Sequence, residues 1–324
     1  MLTAVLLFCV GLLCLVKGGD WFVDGAVGIA RRFHLPDLLI GATVVSVGTT
    51  LPEVMISASS ALGGHGEIAY GNAIGSIICN AALVAAITIA VRPGKADAAA
   101  LRLPVSFFFI AAVFYAAVAY TTGTFSRWVG VVLLALFAAY MAAQVASARR
   151  APAAPAAGEA PPEAAPSGSL AVELVRLALS AALIAVGANL MVDNGVVIAA
   201  GLGVPESVIA LTVVALGTSL PELVTAITSL VKGHGALSLG NVIGANLFNL
   251  VLVNGVSVAL APFGLPAGST IAGHNASLVL DLPVAFAVMV LLVAPPLCKG
   301  RLYRWQGVAL LAIYAAYCAV QFSL

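Results

Sequence analysis

Long apolar stretches, separated by short polar turns, run along almost the whole chain. A helix needs about 20 mostly apolar residues to span a bilayer. Ten stretches meet this condition, five in each half of the chain: roughly 2–29, 37–62, 67–91, 103–122, 128–147, 170–200, 205–231, 236–261, 276–296 and 303–323. The pattern therefore predicts an all-α polytopic membrane protein with ten transmembrane helices.

The two halves repeat one another at an offset of 169 residues. Residues 41–80 and 210–249 are identical at 17 of 40 positions, and the shared glycines, prolines, acids and amides are not residues that lipid compatibility alone would select. Because each half contains five helices, an odd number, the second half must enter the membrane in the opposite orientation. We therefore expect two inverted five-helix repeats, at 1–150 and 170–324.

The segment between the repeats, 151–169, has a different composition. It consists mainly of Ala, Pro, Gly and Glu, which cannot bury a core and is typical of a flexible linker. We expect it to connect the two repeats without a fold of its own.

Composition and charge restrict the class of protein. The chain is 62% hydrophobic and 8% charged, with a mean hydropathy of +1.12, whereas soluble domains carry about 25% charged residues. The net charge of +1 offers no basic patch for nucleic acid. If the N-terminus lies outside, 12 of the 14 basic residues fall on one side of the membrane, which the positive-inside rule makes the cytoplasmic side. We expect a multi-pass protein of the plasma or inner cell membrane, with both termini outside and the linker in the cytoplasm.

Each half carries one acid near the middle of an apolar stretch. The first copy of the motif is Gly-Thr-Thr-Leu-Pro-Glu at 48–53, and the second is Gly-Thr-Ser-Leu-Pro-Glu at 217–222. A lone charge at this depth costs several kcal/mol. The structural alternative is an ion pair with a basic side chain, but Lys17 is the only basic residue expected inside the membrane. The sequence therefore favours cation binding by Glu53 and Glu222.

The residues around the two acids can supply further oxygen ligands. Pro52 and Pro221 each remove an N–H group and free a backbone carbonyl one turn earlier. A free carbonyl at membrane depth must face protein, water or an ion. Hydroxyl groups lie on the same turns, at Thr49, Thr50, Thr218 and Ser219. An all-oxygen environment of this kind suits hard cations such as Ca²⁺ and Na⁺.

The next stretch in each half opens with glycines and an amide. Gly-Asn at 71–72 precedes Ser76 and Asn80, and Gly-Asn at 240–241 precedes Ala245 and Asn249. Asn80 or Asn249 alone could equally form a hydrogen bond between helices, which is a common role of amides in membranes. Their recurrence at the same place in both repeats favours a role at the ion site.

The paired motifs resemble the two alpha-repeats of the calcium:cation antiporter superfamily, and most of all its prokaryotic sodium/calcium exchanger branch. The resemblance covers nearly the whole chain except the linker. It implies four clustered cation sites between the second, third, seventh and eighth helices, with the first and sixth helices sliding as a gating pair. The implied metal ligands are Ser46, Thr49, Thr50, Glu53, Ser76, Asn80, Ala215, Thr218, Ser219, Glu222, Ala245 and Asn249. Ser46 and Ala215 would act mainly through their backbone carbonyls.

This chain departs from the family pattern at two of these positions. Ala245 stands where the family often has serine, so one hydroxyl ligand is missing and we expect a weaker inner Na⁺ site. Asn249 stands where some relatives have aspartate, which argues against the potassium-dependent subgroup. The site then has two carboxylates, and their charge balances one Ca²⁺ or two Na⁺.

The function that these residues favour is secondary active antiport, with Ca²⁺ exchanged for Na⁺ by alternating access. We expect no cofactor and no enzymatic activity, with Ca²⁺ and Na⁺ as transported ions in a chain that functions as a monomer. The nearest alternative is exchange of Ca²⁺, or of another divalent cation, for H⁺, in which the two acids carry protons. A channel is disfavoured because one chain already holds a two-fold set of ligands. An intramembrane enzyme would need a nucleophile or a catalytic metal.

Overall fold

The computed structural model describes residues 2–33, 35–150, 169–202 and 219–324. Within these residues nine helices are long and apolar enough to cross a membrane, and a shorter helix occupies the described end of the predicted seventh span. The helices, α1 to α10 in chain order, are Leu2–Arg32, Leu38–Leu62, Gly66–Val91, Ala98–Thr122, Arg127–Arg150, Leu170–Gly201, Leu220–Val231, Gly235–Leu260, Ser277–Lys299 and Arg304–Ser323. The protein is therefore all-α, with ten transmembrane helices in two inverted repeats. The predicted linker lies outside the described residues, except for Ser169.

The turns that follow α2 and α7 show the repeat at the level of backbone angles. Gly64 and Gly233 have φ values of 83° and 86°, a region that glycine adopts without the steric cost that other residues have. The next residues, His65 and His234, also match, with φ and ψ of −100° and 58° in one turn and −92° and 53° in the other. The same Gly-His-Gly sequence thus forms the same turn in both halves.

Helices α1 and α6 pack against each other along much of their length. They have 31 and 32 residues, which at 1.5 Å per residue is about 45 Å, more than the roughly 30 Å of a hydrocarbon core. Gly11 and Gly187 bring the two backbones together, since a Cβ on either one would lie 2.8 Å from the carbonyl oxygen of the other. Their apolar side chains form a second cluster, which also includes Ile40 and Val45 of α2 and Leu237 of α8.

The main core surrounds α3 and α8, the most deeply buried of the described spans. Helix α8 crosses α2 at very short range. A Cβ on Gly240 would meet the carbonyl group of Leu38, and a Cβ on Gly244 would lie 2.7 Å from the Cα of Ala42. Small residues permit this approach, which is the usual way for helices to pack tightly in lipid.

An ion pair joins α1 to the end of α7. The Lys232 Nζ donates to Asp24 Oδ1 at 2.7 Å and to the carbonyl oxygen of Asp20 at 2.9 Å. Both charged groups are partly exposed, so the pair itself contributes only about 0–1 kcal/mol. Its structural effect is to connect the long α1 with the turn between α7 and α8.

The loops contain four two-residue strands that the helical pattern does not predict. Thr124–Phe125 (β1) pairs with Phe263–Gly264 (β2), which connects a loop of the first repeat to a loop of the second. Thr270–Ile271 (β3) and His274–Asn275 (β4) form a small hairpin between α8 and α9. Strands this short have no sequence signal of their own, because their pairing depends on where the helices place the loops.

The close crossing of α2 and α8 gives a test of this packing. Gly240→Ala is expected to lower the melting temperature of the protein in detergent, because the new methyl group meets the Leu38 backbone and overpacking costs about 1–3 kcal/mol. Gly235→Ala is the matched control, since a Cβ there meets none of the described atoms within 4 Å. Equal melting temperatures for the two variants would contradict the close crossing.

Candidate cation site

Helices α2, α3 and α8 each change their hydrogen-bond pattern beside predicted ligands. Helix α2 is π-helical over Gly41–Val45, directly before Ser46. Helices α3 and α8 are π-helical over Asn80–Ala85 and Asn249–Val253. π-Helical turns are rare and frequently occur at functional sites. The two predicted amide ligands begin such turns at equivalent positions, so the irregularity is a property of the repeat.

The two acids lie in different helical contexts. Glu53 lies within the continuous helix of Ser46–Leu62, in which Pro52 cannot donate to the carbonyl of Gly48 one turn earlier. Glu222 lies in the first turn of α7, with Pro221 beside it and Ser219 as the N-cap residue. Proline lacks a backbone N–H, but the first N–H groups of a helix have no acceptor within the helix, so the loss costs little stability here. The positive end of the helix dipole also stabilises an acid in the first turn.

Ten of the twelve predicted ligands are buried, and the other two, Ala215 and Thr218, lie outside the described residues. Those ten are Ser46, Thr49, Thr50, Glu53, Ser76, Asn80, Ser219, Glu222, Ala245 and Asn249, none of them more than 4% exposed. They belong to α2, α3, α7 and α8, so both repeats contribute buried residues to the candidate site.

The acids of the two repeats interact electrostatically. The charges of Glu53 and Glu222 repel one another, and neither carboxylate has a hydrogen-bond partner among the described residues. No Lys, Arg or His among the described residues forms an ion pair with either acid. Two buried like charges without a basic partner require positive charge from a cation or from a proton.

Most of the unpaired buried polar atoms belong to predicted ligands. Of the 14 buried side-chain polar atoms that have no hydrogen-bond partner among the described residues, ten belong to six of these ligands: Thr50, Glu53, Asn80, Ser219, Glu222 and Asn249. An unsatisfied buried polar group costs about 1–3 kcal/mol, and more when it is charged, so such groups are rare in proteins. Their concentration among the predicted ligands fits the binding of a cation by oxygen atoms.

The amides of the core differ in how they are paired. Asn72, Asn241 and Asn254 hydrogen-bond neighbouring helical turns or helices. Asn246 donates to Met289 Sδ, while its Oδ1 is unpaired among the described residues. Asn80 and Asn249 have both side-chain polar atoms unpaired among the described residues. The interhelical hydrogen bond that would explain Asn80 or Asn249 as structural residues is therefore not formed in the described part of the chain.

Two of the predicted ligands have side chains with little to offer a cation. The Ser46 hydroxyl lies 2.7 Å from the carbonyl oxygen of Gly41 and 3.0 Å from the backbone carbonyl oxygen of Asn241. Its proton is therefore donated to the backbone of α2 or α8. Ala245 is fully buried and has no side-chain oxygen. The equivalent position in the first repeat, Ser76, has a hydroxyl, which makes the two halves of the site chemically different.

Asn241 and Thr225 are residues of this region that were not predicted as part of the site. Asn241 accepts from Thr49 and donates to Thr225, which in turn donates to the carbonyl oxygen of Glu222. The available sequence signal was the Gly-Asn pair, which occurs in both repeats. Its interpretation depends on which helix each amide faces, and only the structure supplies that.

Known proteins share both the sequence and the fold. The family model described as "Sodium/calcium exchanger protein" matches residues 3–146 and 172–323. The chain belongs to this family. It thereby belongs to the calcium:cation antiporter superfamily, as the paired motifs indicate.

Individual relatives cover the chain almost completely. A solved structure of the sodium-calcium exchanger NCX_Mj, soaked with 2.5 mM Na⁺ and 0.1 mM Sr²⁺, has a TM-score of 0.80 and 32% identity over 98% of both chains. The "Putative antiporter CaxA" of Alkalimonas amylolytica is 32% identical over 100% of both chains. The "Sodium/calcium exchanger MaX1" of Methanosarcina acetivorans is 28% identical over 98% of both.

Removal of either acid tests the site by ion binding. Glu53→Gln and Glu222→Gln are each expected to weaken Ca²⁺ binding at least about 100-fold in calorimetry, because loss of a partner from a buried charge pair costs about 3–5 kcal/mol. Asp281→Asn is the matched control, since Asp281 is a part-buried acid of α9 that accepts from Tyr317 and Gln321 instead. Equal Ca²⁺ affinity in all three variants would refute the site.

Proposed function

We propose that this chain is a secondary active antiporter that exchanges Ca²⁺ for Na⁺ by alternating access. The observation that carries the proposal is the pair Glu53 and Glu222, buried together among unpaired oxygens that both inverted repeats supply. Secondary transporters built from inverted repeats bind their ions at the interface of the repeats, near the midplane of the bilayer. NCX_Mj and MaX1, both named as sodium/calcium exchangers, support the choice of ions.

The charge of the site explains why the two ions compete. Glu53 and Glu222 supply two negative charges, which one Ca²⁺ or two Na⁺ neutralise. The hydroxyl and amide ligands are neutral, so a further Na⁺ leaves the site positive and binds less tightly. Because both ions use the same carboxylates, Ca²⁺ and Na⁺ occupy the site in turn, and this alternation couples their movement in opposite directions.

The packing of the helices supports a division between a fixed core and a sliding pair. Helices α2 and α8 are joined at short range by Gly240 and Gly244, and α3 lies in the same core. Helices α1 and α6 supply most of a second apolar cluster, which contacts this core through Ile40 and Val45 of α2 and Leu237 of α8. Movement of this pair would open the site to one side and then to the other. Each net charge moved across the membrane contributes about 2.3 kcal/mol per 100 mV.

The distribution of basic residues supports an orientation with both termini outside. Arg92 donates to the carbonyl oxygen of Leu230, and Arg304 donates to that of Val91. The loops that follow α3, α7 and α9 therefore meet at one face with their basic residues. This face would be the cytoplasmic side of the cell membrane, and the linker between the repeats would lie on it. The twelve-residue ligand set is complete within one chain, which supports a functional monomer.

Exchange of Ca²⁺ for H⁺ is the second candidate. It is favoured by the same pair of acids, because two buried carboxyl groups without a basic partner can share protons when no metal ion is bound. The neutral oxygen ligands serve Ca²⁺ in either candidate, and the relatives named as sodium/calcium exchangers favour Na⁺ as the second ion.

Gradient-driven uptake separates the two candidates. Purified protein in liposomes loaded with Na⁺ is expected to accumulate ⁴⁵Ca²⁺ when it is diluted into Na⁺-free medium, and Glu53→Gln is expected to abolish the uptake. A pH gradient of the same size, without Na⁺, is expected to drive none. Uptake driven by the pH gradient alone would contradict Na⁺ coupling and establish H⁺ exchange instead.

A second test uses the position where the repeats differ. Ala245→Ser adds the missing hydroxyl, and we expect it to lower the Na⁺ concentration for half-maximal exchange about threefold to tenfold, the effect of one added polar interaction of about 0.5–1.5 kcal/mol. Ala245→Cys is the control, because sulfur has a similar size but is a soft ligand that suits Na⁺ poorly. The same Na⁺ dependence in both variants would show that position 245 does not face Na⁺.

A further inference from the structure

Asn241 connects three helices beside the candidate cation site. It lies on α8, is 1% exposed, and is not one of the predicted ligands. Its Nδ2 lies 3.0 Å from Thr225 Oγ1 of α7. Its Oδ1 lies 3.3 Å from the hydroxyl oxygens of both Ser46 and Thr49 of α2. Asn241 therefore contacts a predicted ligand of the first repeat while it is anchored within the second.

The anchor fixes the orientation of the amide. The Thr225 hydroxyl has a single proton, which it donates to the carbonyl oxygen of Glu222 at 3.0 Å. In the hydrogen bond between Thr225 and Asn241, the Thr225 oxygen must therefore be the acceptor. Only the NH₂ group of the Asn241 amide can donate to it. The carbonyl oxygen of the Asn241 side chain consequently faces α2.

The Asn241 Oδ1 is available to accept a hydrogen bond from the Thr49 hydroxyl. Ser46 has a nearer acceptor for its own proton, the carbonyl oxygen of Gly41 at 2.7 Å. Thr49 has the Asn241 Oδ1 at 3.3 Å and the Ser46 carbonyl oxygen at 3.5 Å, and the Glu222 carboxylate accepts no hydrogen bond from the described residues. The Asn241 Oδ1 is thus the nearest acceptor for the Thr49 proton.

The direction of this proton matters for a cation. A hydroxyl has one proton and two lone pairs, and a carboxylate has about four lone-pair positions. A Thr49 hydroxyl that donates to Asn241 keeps both of its own lone pairs for an ion and occupies none of those of the Glu222 carboxylate. Thr49 and Glu222 can then both offer their oxygens to one cation.

We propose that Asn241 is a positioning residue of the cation site, which accepts the Thr49 proton so that Thr49 and Glu222 can coordinate the same ion. The inference rests on the proposed function only in that this region binds Ca²⁺. It does not depend on which ion drives exchange.

The equivalent amide of the first repeat supports a role for this position in both halves. Asn72 Nδ2 lies 2.8 Å from Ser57 Oγ and 3.3 Å from the carbonyl oxygen of Glu53. In each repeat, therefore, the NH₂ group is anchored to the helix that carries the acid of the same repeat. Asn241 uses its remaining oxygen to reach the opposite repeat.

A double-mutant cycle tests the proposal, with the Kd of Ca²⁺ measured by calorimetry on the purified chain in detergent. Asn241→Ala is expected to raise the Kd about threefold to tenfold, the effect of one lost hydrogen bond. Thr49→Ala is expected to raise it by at least as much. If Asn241 acts through Thr49, then Asn241→Ala has no further effect in the Thr49→Ala protein, because interacting residues are not additive.

Two further variants separate positioning from general stability. Thr225→Val keeps the shape of the anchor but removes its acceptor, so we expect a rise in Kd in the same direction as for Asn241→Ala. This variant also keeps the proposal testable if Asn241→Ala fails to fold. Asn246→Ala is the matched control, because Asn246 is a buried amide of the same helix that donates to Met289 Sδ. We expect it to change the melting temperature but to leave the Kd within about twofold, less than one lost hydrogen bond.

The outcomes distinguish this inference from the proposed function. Additive effects of Asn241→Ala and Thr49→Ala, or unchanged affinity in both Asn241→Ala and Thr225→Val, would overturn the positioning role. A wild-type protein that binds Ca²⁺ but shows no Na⁺-driven Ca²⁺ uptake would refute Na⁺ coupling and leave the double-mutant cycle valid. A wild-type protein without Ca²⁺ binding would overturn both.

Discussion

Two carboxyl groups held close together and away from water repel each other, and they need positive charge nearby. The described structure provides none from protein side chains around Glu53 and Glu222. The two acids are thus stabilised when a cation or a proton is present, and ligands that bind only the folded state stabilise it. The cost of burying the acids is therefore also the reason to propose a cation site here.

The inverted repeat makes this arrangement possible with one short motif. Each half supplies an acid, hydroxyl groups, a proline and an amide that begins a π-helical turn, and inversion brings the two sets face to face. Where the copies differ, the site becomes asymmetric. Ser76 has a hydroxyl and Ala245 does not, while Pro52 lies within a helix and Pro221 at the start of one. The two halves of the candidate site are therefore chemically different.

Much of the fold and of the site is predictable from the sequence, because both depend on local signals. Apolar length predicts the helices to within a few residues; α3 begins at Gly66 and α8 at Gly235, against predicted starts of 67 and 236. The repeated motif likewise identifies Glu53 and Glu222. The π-helical turns and the two-residue strands have no such signal, since the packing of neighbouring helices determines them. The role of Asn241 also depends on contacts among α2, α7 and α8 that are distant in sequence.

The close packing around the site also determines which helices can move. Helices α2 and α8 meet through backbone contacts at Gly240 and Gly244, so sliding one past the other would break many contacts at once. Helix α1 makes a different kind of contact, because the ring of Phe22 lies over Gly48, where a Cβ would be 3.0 Å from its edge. Gly48 is also the residue whose carbonyl Pro52 leaves without its helical donor. A shift of α1 would therefore uncover the turn that carries Glu53, while the predicted oxygen ligands of the core keep their positions. The proposed alternating access requires one mobile part and one fixed part of this kind.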